Sequence, residues 1–278
     1  MAGSAMPELP EVETVRRTIG PLIVGRQITR VEVRRRDLRR RVRPGFEAAL
    51  VGRTIVRADR RAKYLLLHLD DGLAWIVHLG MSGRFLRFAL DAPNDASPHE
   101  HVLVGLDDGA CVVFRDPRRF GLMDVEDPRD SSLLVDIGPE PLDAAGFDGD
   151  YLAGFRKRTR RFVKDVLMDQ HVVAGLGNIY VNEILFVSRV RPTRRMSRLS
   201  RVECDTIVTA TREVIEEAIE HRGSSISDFL DGIGRPGSYQ WRRRVYDRAG
   251  EDCPRCGGTI RSRAIAQRSS FYCGHCQR

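Results

Sequence analysis

Apolar positions along the chain change period twice. Val12, Val15 and Ile19 fall at helical spacing, with Pro10 in the first turn and Gly20-Pro21 as a stop, so a helix is predicted to begin within three residues of Pro7. The runs TRVEVRRR, RTIVRADR, KYLLLHL, LAWIVHL, GRFLRF, HVLVGL and CVVFRD then have strand character. Asp71-Gly72 and Asp108-Gly109 separate pairs of these runs in the manner of hairpin turns. The first half therefore reads as a mostly β domain, an antiparallel sandwich or barrel. Around Gly138-Pro139-Glu140-Pro141 the pattern breaks, and from about Asp150 it turns helical. Asn178 to Val187 reads as a short helix entered through Ala174-Gly175-Leu176-Gly177. Ser200-Arg201-Val202-Glu203 has the form of a capping box, and Val208, Val214, Ile215, Ala218 and Ile219 mark one face of the helix that follows, ending near Gly223. The stretch 223–240, rich in Gly and Ser, is expected to be a surface loop.

With 278 residues there is room for two domains, or one and a small appendage. No apolar run reaches membrane-spanning length and the first residues lack the order of a secretory signal, so no membrane association and an intracellular, soluble protein are expected. The net charge of +8 is unevenly placed. Thirteen basic residues lie between Arg30 and Lys63 against Glu32, Asp37, Glu47 and Asp59, and ten arginines between Arg235 and Arg278 face only Asp247, Glu251 and Asp252. Such clusters suit a polyanion, most simply nucleic acid, although solvated strand faces account equally for the first block. Of 46 basic residues only Lys63, Lys157 and Lys164 are lysines. A lysine kept among arginines is a candidate for proton transfer, which arginine does not perform.

The pairs Cys253-x2-Cys256 and Cys273-x2-Cys276, sixteen residues apart, have the spacing of a four-thiolate zinc site. Disulfides are the alternative, disfavoured for paired CxxC motifs in an intracellular chain. Four closed thiolate positions make one structural Zn2+, which would hold Arg261, Arg263 and Arg268 on a small rigid hairpin. Cys111 and Cys204 read as core residues. The glycines before Asn178 suit either phosphate binding at a helix N-terminus or a tight packing turn.

At the start stands Met6-Pro7-Glu8. Were Met6 the first residue and then removed, Pro7 would carry a free secondary amine. A terminal amine titrates near ~7.7–8.0 and a lysine near ~10.4, so the former is the better nucleophile at neutral pH. A proline amine attacking a sugar aldehyde carbon yields an iminium with a permanent positive charge, able to draw electrons through eliminations. Glu8 is placed to move a proton. The plain alternative is a Pro-Glu helix start.

Together PELPEVE (7–13), RRAKYLLL (60–67), HLGMSG (78–83), DPRRFG (116–121), IGPEPL (137–142), GLGNIYVNEILF (175–186) and AQRSSFYCGHCQ (266–277) resemble the formamidopyrimidine-DNA glycosylase family, from Met6 almost to the last residue. Its sister branch is of endonuclease VIII type, where glycine usually replaces Leu9, so PELPE points to the oxidised-purine branch. The resemblance implies an α+β multidomain fold. Its parts are an N-terminal antiparallel β-sandwich with flanking helices (7–142), a helix-two-turns-helix DNA-binding domain (150–235) and a four-cysteine zinc hairpin (243–278). It implies excision of 8-oxoguanine and formamidopyrimidines from damaged double-stranded DNA, followed by β,δ-elimination, in the bacterial cytoplasm where the chain meets DNA at the nucleoid; a monomer is the simple expectation. Pro7 matches the nucleophile and Glu8 the acid that assists ring opening. Lys63 matches the lysine of base release and first elimination, and Arg268 the arginine on the phosphates flanking the lesion. Met81, Arg118 and Phe120 match residues that fill the gap left by an extruded nucleotide, though Met81 and Phe120 taken alone read as core. Lys164 and Asn178 match phosphate contacts, His99 a DNA-contacting histidine, and 223–240 a lesion-capping loop.

The chain departs from the family pattern at Tyr239, where phenylalanine is frequent, at Asp247, where glycine is frequent, and in its first five residues. With Met1 to Met6 attached, the Pro7 nitrogen is an amide. An upstream start, an expression remnant and an extended paralogue that binds damaged DNA without cutting it are the three explanations. An oxidised-pyrimidine glycosylase and a non-catalytic DNA-binding protein are the rival functions.

Overall fold

The computed structural model describes residues 6–89, 97–225 and 229–278. Met1–Ala5, and residues 226–228 of the expected capping loop, lie outside the described residues. Two compact units form. One holds the chain up to Asp136 together with His221–Ser238, and the other holds Ile137–Glu220 with Tyr239–Arg278.

In the first unit, helix α1 (Leu9–Ile23) runs through the Gly20-Pro21 pair rather than stopping there. Proline removes one amide from the last turn, but the buried Ile23 and the Val24 amide on the Gly20 carbonyl at 3.0 Å carry the helix past it. The strands follow: β1 (Ile28–Val33), then the short helix α2 (Phe46–Leu50), β2 (Ile55–Arg61), β3 (Tyr64–Leu69), β4 (Ala74–His78), β5 (Arg84–Phe88), β6 (Glu100–Leu106), β7 (Cys111–Arg115) and β8 (Leu122–Glu126). They form two antiparallel sheets, ordered β1-β6-β7-β5 and β2-β3-β4-β8. Both hairpins that the sequence marks are present, β3–β4 at Gly72 and β6–β7 at Gly109, each glycine at positive φ. α2 and β8 escape the sequence reading. β8 is a five-residue strand with two acidic residues, and it forms because β4 offers it an edge.

Alternate residues of the two sheets share one core: Phe85, Val102, Val104, Val112 and Phe114 from one, Leu65, Leu67, Trp75, Val77 and Met123 from the other. The Trp75 ring meets Phe85 of the opposite sheet edge-on at 5.2 Å, and Val12, Val15, Ile19 and Ile23 of α1 join the same core. This is the expected sandwich with flanking helices. Cys111 is only half-buried, whereas Cys204 is buried as expected.

The second unit contains α3 (Gly149–Gly154), α4 (Val163–Leu167), α5 (Asn178–Val187), α6 (Arg201–Glu220) and the hairpin β9 (Ile260–Ile265) with β10 (Arg268–Cys273). The capping box of α6 is formed. Ser200 Oγ accepts the Glu203 amide at 3.1 Å, and Glu203 accepts the Ser200 amide at 2.7 Å. Helix α5 is a buried post. Its Glu183 accepts the Arg244, Val245 and Tyr246 amides at 2.8–2.9 Å, and burial pushes that carboxyl up against the pull of these donors and of the Arg244 guanidinium.

Candidate active site

In the first unit Pro7 is buried immediately before α1, and Glu8, only 3 % exposed, is the helix N-cap. Glu11 lies one turn on. Its Oε2 accepts the Glu8 amide at 2.9 Å and its Oε1 accepts the Ser224 amide at 2.7 Å. Gly223 has φ +72, and a Cβ there would sit 2.7 Å from the Glu11 carboxylate, so the entry to the 223–240 segment closes directly on the start of α1. Sequence reading missed Glu11. Its only local signal is the three-residue spacing from Glu8 that a capping box requires.

Lys63 follows Ala62, which takes φ +51 in the turn between β2 and β3, and its side chain is buried. Beside it His78 ends β4. Burial first, then the charges of Lys63 and Arg39, hold its imidazole neutral down to about 3. The Gly80 amide donates to His78 Nδ1 at 2.9 Å, and the Tyr64 ring meets the imidazole edge-on at 4.8 Å. Lys63 thus stands next to a histidine that carries no competing positive charge at neutral pH.

Met81 is half-exposed, Arg118 and His99 are exposed, and Phe120 is 42 % exposed. The Arg118 guanidinium lies over the Phe120 ring at 4.8 Å. Core packing does not account for Phe120, which offers its ring and the arginine together to solvent.

In the second unit the four cysteines converge. Sγ atoms of Cys253 and Cys276 are 3.8 Å apart, those of Cys256 and Cys273 are 3.6 Å apart, and all four lie within 4.8 Å of one another. Thiolates about 2.3 Å from a zinc ion at tetrahedral corners stand about 3.8 Å apart, so the four residues fit one Zn2+. Gly257 at φ +71 and the Cys253 amide on the Gly258 carbonyl at 2.8 Å shape the first knuckle. At the far end, Ala266 and Gln267 both take positive φ in the two-residue turn between β9 and β10, leaving Arg268 exposed as the first residue of β10. Arg268 lines a cavity of about 340 Å³ with Arg161, Asp165, Met168, Asp169 and Ile265.

Lys164 of α4 is 1 % exposed, with its ammonium 2.8 Å from the Ser269 carbonyl and 2.7 Å from Ser270 Oγ. Asn178 opens α5, and the Asn182 side chain donates to its carbonyl at 2.6 Å while accepting the Phe271 amide at 2.7 Å. Lys164, Asn178 and Arg268 are therefore tied to one strand, β10. Tyr239 is fully buried with its ring 5.3 Å from Tyr180, and Asp247 takes φ +61. The second departure keeps a left-handed position that Asp tolerates and Gly takes freely.

Three family descriptions match the chain. The formamidopyrimidine-DNA glycosylase N-terminal domain matches residues 6–123, the formamidopyrimidine-DNA glycosylase H2TH domain residues 137–230, and a zinc finger found in FPG and IleRS residues 250–278. The formamidopyrimidine-DNA glycosylase of Halorhodospira halophila is 46% identical over 276 residues, covering 98% of this chain and 100% of that protein. The one from Teredinibacter turnerae is 41% identical with the same coverage. Among solved structures, the MutM (FPG) protein of Thermus thermophilus superposes with a TM-score of 0.86 at 39% identity over 98% of both chains. A complex of Lactococcus lactis Fpg with DNA containing an abasic site gives a TM-score of 0.89 at 34% identity, covering 98% of this chain and 99% of that one.

Proposed function

This chain belongs to the formamidopyrimidine-DNA glycosylase family, and on that premise we propose that it excises oxidised purines, 8-oxoguanine and formamidopyrimidines, from duplex DNA and then cuts the strand by successive β- and δ-elimination. Membership makes the chain an enzyme, a DNA glycosylase with abasic-site lyase activity. The observation that carries the mechanism is the pairing at the start of α1: a proline ring nitrogen beside a buried carboxylate at the helix's positive end.

The Pro7 nitrogen, freed as a terminal amine, attacks C1′ of the damaged nucleotide as the base departs with the bonding electrons and a proton. Glu8 delivers a proton to the sugar ring oxygen, and the ring opens to an iminium on Pro7. That cation acidifies the C2′ hydrogen. Its removal expels the 3′ phosphate, and loss of a further proton from C4′ expels the 5′ phosphate. Lys63, beside the neutral His78, serves base release and the first elimination. Arg268 holds the phosphates that flank the lesion and aids the second. Met81, Arg118 and Phe120 enter the space vacated by the extruded nucleotide, while Asn178, Lys164 and His99 serve the DNA backbone.

Cys253, Cys256, Cys273 and Cys276 would hold one Zn2+ with no coordination position left open, so the ion supplies a fixed hairpin and no Lewis acid. The division of labour follows the segments 7–142, 150–235 and 243–278. The protein acts as a monomer on damaged double-stranded DNA, in the bacterial cytoplasm at the nucleoid. Among the described residues no helix is long and apolar enough to cross a membrane.

The test is borohydride reduction of protein mixed with a duplex carrying 8-oxoguanine. A chain whose first residue is Pro7 is expected to form a covalent adduct and to incise the strand, whereas a chain retaining Met1 to Met6 forms none. No adduct from a chain with a verified Pro7 terminus would sink the proposal. An oxidised-pyrimidine duplex in parallel, incised faster than 8-oxoguanine, would move the assignment to the sister branch.

A further inference from the structure

His99, Met81, Arg118 and Phe120 stand on three separate turns; the buried Asp116 joins the turn of Met81 to that of Arg118 and Phe120 through its carboxylate, and reaches the turn of His99 through its backbone amide. Asp116 is fully buried. Its Oδ1 accepts the Ser82 hydroxyl at 2.5 Å and the Arg118 amide at 3.3 Å, and its Oδ2 accepts the Gly121 amide at 2.7 Å. The Ser82 oxygen also accepts the Arg118 amide at 3.2 Å. Through its own backbone, Asp116 donates to the His99 carbonyl at 3.0 Å and accepts the Arg119 amide at 3.1 Å. The donors to this carboxylate thus come from Ser82, next to Met81, from Arg118 itself, and from Gly121, next to Phe120.

The turns also touch backbone to backbone. Gly80 has φ +67, and a Cβ there would fall 2.3 Å from the Phe120 carbonyl carbon. At Gly121 a Cβ would fall 2.4 Å from the Phe114 ring and 3.2 Å from Asp116 Oδ2. His78 holds the Gly80 amide from the other side. A carboxylate so deeply buried is retained at a desolvation cost unless its donors are fixed in place. Here the fixed donors are the wedge turns themselves.

We infer that Asp116 and Ser82 are positioning residues that hold Met81, Arg118 and Phe120 as one preformed wedge, so that the three enter the duplex as a unit. Inserting side chains between stacked bases is unfavourable in itself, and assembling two loose turns at the same moment would add their ordering entropy. A wedge already built meets only the first demand. The inference rests on the proposed reading of these residues as gap-filling groups.

Its test uses a Pro7-terminal enzyme and the variant Ser82→Ala, which removes the hydroxyl bridge and leaves the amide bonds of Asp116. Nucleotide extrusion is followed in single turnover by 2-aminopurine fluorescence beside 8-oxoguanine in a duplex. Cleavage of an abasic site in single-stranded DNA, which needs no wedge, is measured alongside. Extrusion is expected to slow at least tenfold and abasic cleavage to stay within twofold, with Ser82→Thr restoring extrusion. In a Met81→Ala background, Ser82→Ala should add little, because the two act together. Equal slowing of both substrates, or slowing of neither, overturns the inference. If Ser82→Ala does not fold, Ser82→Cys is held to the same criteria. A parent enzyme that neither traps nor incises would instead sink the functional reading, an outcome visible before any variant is made.

Discussion

Glu8 combines an N-cap position with near-complete burial, next to the proposed nucleophile and bonded through its amide to Glu11. Glutamine in its place keeps a cap-type oxygen but has no proton to give. Glu8→Gln is therefore expected to shift stability by less than about 1 kcal/mol, read from a thermal melt, while single-turnover excision falls by roughly 10²–10⁴. At this scale the sequence was legible where chemistry is local. The zinc thiolates declare themselves because each knuckle is four residues long, and the four sulfurs do converge. Glu11 was illegible because its second partner, the Ser224 amide, lies 213 residues further on. The Lys164 environment was equally hidden. Nothing near that lysine in sequence announces that its ammonium meets Ser269 and Ser270, more than a hundred residues away.

Elements carry the next consequences. Strand β4 delivers His78 into a site that keeps it neutral to about pH 3, whereas an unfolded histidine charges below about 6.5. Between those limits the unfolded chain binds the extra proton. This contribution to stability is therefore complete above about pH 7 and is lost on acidification, at up to about 1.4 kcal/mol per pH unit. Melts from pH 7 to 4 should show the loss, and His78→Gln should flatten that part of the profile. The hairpin β9–β10 ends in the converging cysteine sulfurs, so its order is expected to follow the metal. Chelation is expected to unfold residues 250–278, seen as loss of amide exchange protection over β9 and β10. Binding to a lesion duplex should weaken at least about tenfold as Arg268 loses its support. Strong local periodicity made the α1, α5 and α6 helices and most strands readable in advance. β8 and α2 were not, since each is five residues long and exists through its neighbours. The end of α1 was misread because the burial of Ile23 outweighs the proline before it.

For the molecule as a whole, the net charge of +8 with its arginine clusters leads to the expectation that, on the proposed function, phosphate neutralisation contributes much of the affinity for duplex DNA. Raising salt from about 50 to 200 mM should weaken duplex binding at least tenfold by fluorescence anisotropy, and a flat response would contradict a backbone-dominated interface. The two-sheet sandwich and the metal hairpin were foreseeable from pattern and spacing. The division of the chain between units was not, because a contiguous stretch of sequence does not announce that its unit is interrupted. The first unit is closed only when His221–Ser238 returns to it. During synthesis the sandwich strands leave the ribosome long before Ser224 is translated, so Glu11 waits with one oxygen lacking its native amide while residues 137–220 are made. Vectorial synthesis is therefore expected to let the sandwich strands of the described residues pair before the start of α1 gains its Ser224 partner. A nascent polypeptide halted before residue 221 is expected to carry the sheets without the Ser224 amide that Glu11 accepts beside the proposed nucleophile.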